Sequence, residues 1–526
     1  MTISGHMLLG AEEVMGTSAQ INAINPATGE KLAPVFGGGT QADVDKACDK
    51  AAKAFSSFRR LSNEARAAFI DSCADNIMEL GDELVERVMA ETGLPQPRVV
   101  GERGRTVGQL KLFAQLIRDG NYLGARIDTA LPDREPLPRL DHRMQYIPLG
   151  PVAVFGASNF PLAFSVAGGD TAAAFAAGCP VIVKAHSSHP GTSELVGRAL
   201  RKAVADHGLD EGVFSLVFGS GREVGSALVS HPAIKAVGFT GSEGGGTALM
   251  KLAAARPEPI PVYAEMSSIN PVFLLPDALA TRGAEIGSNL VASMMMGAGQ
   301  FCTSPGLIIA MAGEGYDDFV AAARDAISEA APQTMLSPTI HEAYQKGVEH
   351  LSSMSQLSQL SQGQEAQGCQ CQAALFEVAA NDFVTNEDLR EEVFGSCSLV
   401  VRCDNAEQLI TVLNSLRGQL TGAIHATDGE DPELVDGLIE ALELKVGRII
   451  WNGFGTGVEV CHSMVHGGPY PATADGRSTS VGTAAIDRYM RPVCYQNMPN
   501  KYLPKSVDEE NSLGICRLVN GEVVTS

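Results

Sequence analysis

The chain has 526 residues, more than one compact core accommodates, with 45% hydrophobic and 19% charged residues; two or more globular domains are expected, and disorder and collagen-like structure are excluded. A formal net charge of −22 sets the surface against nucleic acid and anionic lipid, so any anionic substrate must be held by a local cluster of donors. Eleven cysteines without paired CxxC knuckles fit reduced, buried thiols rather than a zinc site, and Cys369 and Cys371 read as incidental neighbours.

Residues 1–17 lack a positive segment followed by an apolar core and do not read as a secretory signal. Apolar runs such as 291–296 fall far short of the roughly 20 residues that cross a bilayer. A cytoplasmic protein with no membrane or nucleic-acid partner is expected.

In chain order, residues 40–89 carry Val44, Ala47, Ala51 and Phe55 at three- and four-residue spacing, which predicts two helices. A further helix is predicted over 103–117, with Val107, Leu110, Ala114 and Ile117 on one face. From residue 144 the pattern changes. Strands are predicted at 152–155, 181–183, 213–217, 236–239 and 260–264, separated by helices at 162–177, 192–207, 223–230 and 245–255. This alternation predicts an α/β fold whose parallel sheet carries helices on both faces and binds ligands beyond its C-terminal strand ends. A second series follows, with strands at 271–275, 306–311 and 399–401 and helices at 285–296 and 406–415. The Ser- and Gln-rich stretch 352–372 reads as a polar surface helix or insertion. Residues 515–524 read as a strand turning at Gly521, of a kind that adds to a neighbouring subunit's sheet.

The residues just after each strand are the candidates for chemistry. Thr240-Gly241-Ser242 opens a helix and could place backbone N–H groups on a pyrophosphate. A second glycine turn holds Gly221 and Gly225; neither turn has the GxGxxG spacing, and plain tight turns are the alternative. Lys184 could reach ribose or phosphate, or be a solvated loop lysine. Ser187, three residues on, leaves no carboxylate there to repel a 2′-phosphate, so NADP has room and NAD is also compatible.

Cys302 lies in a loop turned by Gly299, Pro305 and Gly306, which leaves its sulfur approachable for nucleophilic attack; local context alone favours a buried structural cysteine. Glu265 and Glu392 are candidate functional carboxylates, with surface positions as the plain alternative. Asn159 could donate to an oxyanion or simply make a turn. Phe160, Phe113 and Phe454 either line a substrate tunnel or pack in the core.

Taken in order, Ser158-Asn159-Phe160-Pro161, Lys184, Phe239-Thr240-Gly241-Ser242, Glu265, Gly299-Gln300-Phe301-Cys302-Thr303 and Glu391-Glu392-Val393-Phe394-Gly395 resemble the aldehyde dehydrogenase superfamily over nearly the whole chain. The resemblance implies a Rossmann-type cofactor domain (1–133 and 148–266), an α/β catalytic domain (267–483) and a small β oligomerisation arm (134–147 and 484–526). It also implies a homodimer or homotetramer acting on a small aldehyde. By the same resemblance Cys302 is the nucleophile, Glu265 the general base, and Asn159 an oxyanion donor. Lys184 and Ser242 would contact the adenosine side of the cofactor, Glu392 the nicotinamide ribose, and Phe394 would pack at the nicotinamide.

Departures narrow the subfamily. The family's Glu-Leu-Gly-Gly-Lys is Glu265-Met266-Ser267-Ser268-Ile269 here, and its glutamate three past the lysine is Ser187. The phrases Lys184-Ala185-His186-Ser187-Ser188-His189-Pro190 and Gly467-Gly468-Pro469-Tyr470-Pro471-Ala472-Thr473 are similar to α-ketoglutarate semialdehyde dehydrogenases, and also to NADP-dependent fatty aldehyde dehydrogenases. A CoA-acylating relative fits less well, because Glu265 supplies a base for hydrolysis. A non-catalytic structural relative is opposed by the intact Cys302, Glu265 and Asn159. For a carboxylate clamp, Arg118 and Arg448 are candidates, with surface or structural roles as the alternative.

Overall fold

A computed structural model describes residues 3–525; the outermost ends of the expected cofactor region and tail lie outside them. Short, wholly apolar runs make strands that are buried on both faces. Val152–Phe155, Val181–Lys184, Phe214–Val217, Ala236–Thr240 and Val262–Glu265 pair in parallel, within two residues of the predicted bounds. Their spatial order is Val262–Glu265, Ala236–Thr240, Val152–Phe155, Val181–Lys184, Phe214–Val217, and an N-terminal hairpin, Met7–Leu9 with Glu12–Val14, extends the last edge. The sequence reading does not include this hairpin.

A second seven-stranded sheet runs Ser358–Gln362, Ala374–Ala379, Cys397–Cys403, Leu307–Met311, Val272–Leu274, Gln419–His425, Val446–Trp451. It is parallel except at Ser358–Gln362, which pairs antiparallel with Ala374–Ala379. Within the Ser/Gln-rich stretch, expected as a surface helix or insertion, Ser358–Gln362 is therefore an edge strand and Gln370–Cys371 pairs with Gln333–Thr334. Edge strands tolerate polar side chains because one margin and one face meet water. A third sheet joins Met490–Gln496, His142–Pro148, Arg126–Asp128 and the hairpin Arg517–Val519/Glu522–Val524, with Gly521 in its turn at φ 88°. It takes in Arg126–Asp128, upstream of the arm boundary expected at residue 134.

Two helix expectations change. Residues 40–89 form three helices, Gln41–Phe58, Asn63–Glu79 and Gly81–Thr92, because Ser62 caps the second and Gly81 at φ 56° breaks the path into the third. The helix predicted over 162–177 is confined to Gly169–Ala177. Its first half is an irregular turn whose Leu162 and Ala163 N–H groups donate to the buried Glu102 carboxylate at 2.8 and 2.9 Å.

Candidate active site

Between the two large sheets lies a cleft of about 870 Å³. Its walls include Asn159, Ser187, Gly241, Ser242, Glu265, Cys302, Glu392 and Phe394. Six separate strand ends and loops thus converge, as expected for a parallel sheet that binds at its C-terminal ends. Ser242 caps the helix Glu243–Ala254 by accepting from the Gly245 N–H at 3.2 Å, so the helix's positive end faces the cleft.

Lys184 ends its strand half-buried, and burial pulls its ammonium down to about 8. Gly221 and Gly225 form the turn after Phe214–Val217 and are not among the lining residues; at Gly225 an added Cβ would stand 3.0 Å from the Phe155 ring. The aromatic expectations separate. Phe113 is fully buried in the main core, the core-packing alternative of the two readings, because the apolar face of its helix packs inward. Phe454 lies against His425, ring centroids 4.7 Å apart. Phe160 packs edge-on against Phe164 and Phe301, next to the cysteine loop.

The loop bearing Cys302 is held from below by Asn270, whose Nδ2 donates to the Cys302 and Ser304 carbonyls at 2.9 Å each. Asn270 adopts φ 47°, a left-handed conformation that asparagine tolerates better than most residues. Its Oδ1 accepts from Ser268 Oγ and Thr421 Oγ1. Gly299 approaches Gly395 so closely that a Cβ there would sit 2.2 Å from its carbonyl carbon, which locks the cysteine loop to the Glu391–Gly395 loop. Asn159 Nδ2 donates to the Gln300 carbonyl at 3.1 Å, leaving its other amide hydrogen for the cleft.

At the cleft floor, Cys302 Sγ lies 3.4 Å from His466 Nε2, and that nitrogen lies 2.8 Å from Glu265 Oε1. Ser480 Oγ donates to Glu265 Oε2 at 2.9 Å. His466 and Ser480 arrive because the segment after Gly467 docks on the edge strand: Met266 N–H donates to the Ala472 carbonyl at 2.8 Å, and Ala474 N–H to Ala264 at 2.9 Å. His466 is absent from the sequence-derived set. It sits one residue before the Gly467–Thr473 phrase, in irregular backbone that no periodicity marks.

Electrostatics follow from this packing. Burial, then the Glu265 carboxylate, push the Cys302 thiol well above its usual range, so the resting sulfur keeps its proton. Burial also pushes Glu265 up, but His466, by charge and hydrogen bond, with Ser480 and the Cys302 thiol, brings it below the usual carboxylate range. An ionised carboxylate thus waits beside a protonated thiol. Glu392 is the contrast: burial raises it to about 7, against hydrogen bonds from Ser267 and the Ser268 backbone. The ligand atoms of Glu265, Cys302 and His466 all fall within 4.8 Å of one another, a spacing that serves proton transfer equally well. No described helix is long and apolar enough to cross a membrane.

Comparisons with known proteins bear on the family and the fold. Residues 14–492 match the model of the aldehyde dehydrogenase family. The chain is 54% identical over 524 residues to α-ketoglutaric semialdehyde dehydrogenase 2 of Azospirillum brasilense, covering 99% of this chain and 100% of that one. It is 47% identical over 520 residues to α-ketoglutaric semialdehyde dehydrogenase of Acinetobacter baylyi, covering 98% of each. Among solved structures, betaine aldehyde dehydrogenase from Staphylococcus aureus in complex with NAD+ has a similar fold, with TM-score 0.80, 20% identity, and coverage of 94% of this chain and 96% of that one. The 1-pyrroline-5-carboxylate dehydrogenase from Thermus with bound NAD superposes with TM-score 0.78 at 20% identity, covering 93% and 92%. The chain belongs to the aldehyde dehydrogenase family.

Proposed function

We propose that this enzyme oxidises α-ketoglutarate semialdehyde to 2-oxoglutarate with NADP as oxidant, through a Cys302 thioester that water resolves. The observation that carries the chemistry is the Cys302–Glu265–His466 contact at the cleft floor. Substrate identity rests on full-length similarity to two proteins named for that aldehyde.

The residues fit a nicotinamide dinucleotide. The cleft has the volume of a cofactor site, a capped helix N-terminus for phosphate, and a buried carboxyl, Glu392, for a ribose hydroxyl. Ser187 in place of a carboxylate, with Lys184 at the neighbouring strand end, favours a 2′-phosphate over a bare ribose diol. A bound nicotinamide ring supplies the hydride acceptor.

The protein's own groups do the rest. Glu265 takes the thiol proton, and the Cys302 thiolate adds to the aldehyde carbon. Asn159 and the Cys302 N–H donate to the resulting oxyanion. Once the hydride has left, an acyl group remains on sulfur. Glu265, having released the thiol proton to solvent, then removes a proton from water; the hydroxide cleaves the thioester, the acid leaves, and Glu265 returns that proton to the Cys302 sulfur. His466 orients Glu265 and keeps it ionised at the start of each step. The third sheet, with its exposed Glu522–Val524 edge, serves as the oligomerisation arm of a homodimer or homotetramer.

Comparing kcat/KM for α-ketoglutarate semialdehyde with that for hexanal tests the substrate. Values at least about 100-fold apart are expected, and equal values would sink the assignment.

A further inference from the structure

We propose that Arg105 holds the distal carboxylate of the substrate, at a second mouth that leads to Cys302 from outside the cofactor cleft. This assignment rests on α-ketoglutarate semialdehyde, or an aldehyde of the same charge, being the substrate. The helix Gln96–Asp119 carries Arg98, Glu102, Arg105 and Gln109 at three- and four-residue spacing, so all four lie on one face. Their bonding differs. Arg98 Nη1 is paired with the buried Glu102 carboxylate at 2.6 Å. Arg105 forms no ion pair within 4.0 Å among the described residues: its Nε and Nη2 reach the Val458 carbonyl only at 3.4 Å, and Nη1 is buried with no partner. A buried guanidinium N–H without an acceptor costs free energy that a carboxylate oxygen would recover.

The surroundings suit that ligand. Arg105 borders a cavity of about 590 Å³ together with Gly108, Gln109, Leu112 and Val458–Val460, none of which lines the cofactor cleft. The Arg105 guanidinium lies over the Phe164 ring at 5.2 Å, and the same ring packs tilted against His466 at 6.0 Å between ring centroids. His466 in turn touches the Cys302 sulfur. Arg105, Phe164, His466 and Cys302 therefore form one chain of contacts from this cavity to the sulfur. In the proposed pose the aldehyde carbonyl lies at Cys302 and the distal carboxylate at Arg105 Nη1. Glu459 is the competing anion on this cavity; it is exposed and lies beyond ion-pair distance of Arg105.

Of the two arginines singled out from sequence, Arg118 is committed at the surface, and Arg448 has both Nη atoms taken and only its buried Nε without an acceptor. Arg118 binds Glu64 and Asp71 at the surface. Both Nη atoms of Arg448 donate to carbonyls of Gly455 and Gly457, in the loop that leads to Val458.

The test is substrate preference, read as the ratio of kcat/KM for α-ketoglutarate semialdehyde to that for hexanal. A folding defect scales both terms, so the ratio isolates the clamp. In R105M the ratio is expected to fall about 30-fold with the loss carried by KM, and in R105K about 5-fold. A ratio unchanged in both variants overturns the clamp. A wild-type ratio near one overturns the substrate assignment beneath it, whatever the variants do.

Discussion

Glu265 Oε1 and His466 Nε2 stand 2.8 Å apart, both nearly inaccessible to solvent, although 201 residues separate them in the chain. His466 Nδ1 is buried without a partner, so the ring's hydrogen bonding is directed wholly at Glu265 and the Cys302 sulfur. The pair explains how a carboxylate keeps its charge in a buried site beside a thiol that does not.

His466→Gln tests this directly. His466 holds Glu265 below the usual carboxylate range, so its loss lets the carboxyl rise toward the value burial dictates. The acid limb of the kcat/KM profile should then shift to higher pH, with kcat down about 10- to 100-fold near neutrality. An acid limb that stays in place while kcat falls would assign His466 a packing role only.

Cofactor choice turns on Ser187, on the cleft wall beside His186 and Ser188. Ser187→Glu brings a carboxylate where a 2′-phosphate would lie. KM for NADP should rise about 10- to 100-fold, with that for NAD changed far less. Equal changes for both cofactors would place the adenosine ribose elsewhere.

Asn270 carries a stability prediction. Its alanine variant leaves the Cys302 and Ser304 carbonyls without their donor and puts a residue with no polar side chain at φ 47°. A loss of about 2–4 kcal/mol is expected, measured by chemical denaturation, together with reduced activity. Wild-type stability in this variant would mean that the loop is held by its other contacts.

Glu392 ties stability to pH. Its carboxyl is raised to about 7 when folded, so between the ordinary carboxyl value and about 7 the folded chain keeps a proton that the unfolded chain has lost. This contribution is present at low pH and is lost as pH rises through that window. Glu392→Gln removes the titration, and the decline in Tm from about pH 5 to about pH 8 should become shallower by about 2 °C. A slope identical to wild type would refute the assignment.

Legibility in the sequence followed backbone regularity. The strands that end at Phe155, Lys184, Thr240 and Glu265 are short apolar runs, so both the sheet and the residues after each strand could be read from pattern. Cys302 emerged from its glycine-turned loop together with the ordered motifs around it. His466 and Ser480 did not, because their place depends on an irregular segment docking on an edge strand, a long-range event with no local signature. Phe113 was offered to the substrate because an amphipathic face cannot distinguish a cleft from a core. Arg105 was hidden for the opposite reason: among 39 basic residues, only bonding geometry singles out the arginine with a buried Nη that has no acceptor among the described residues.

The central claim is that Cys302 carries the acyl group and Glu265 directs its release to water. Intact-mass measurement of Glu265→Gln, mixed with α-ketoglutarate semialdehyde and NADP, tests it most directly. With Glu265 replaced, the thiol loses its proton to solvent, more slowly than to a carboxylate, and the acyl group that forms should persist for want of a base. The expected result is one acyl adduct mapped to Cys302 per chain, one equivalent of reduced cofactor, and steady turnover at least about 100-fold below wild type. Reduced cofactor accumulating at the wild-type rate without an adduct, or an adduct on any other residue, would contradict it.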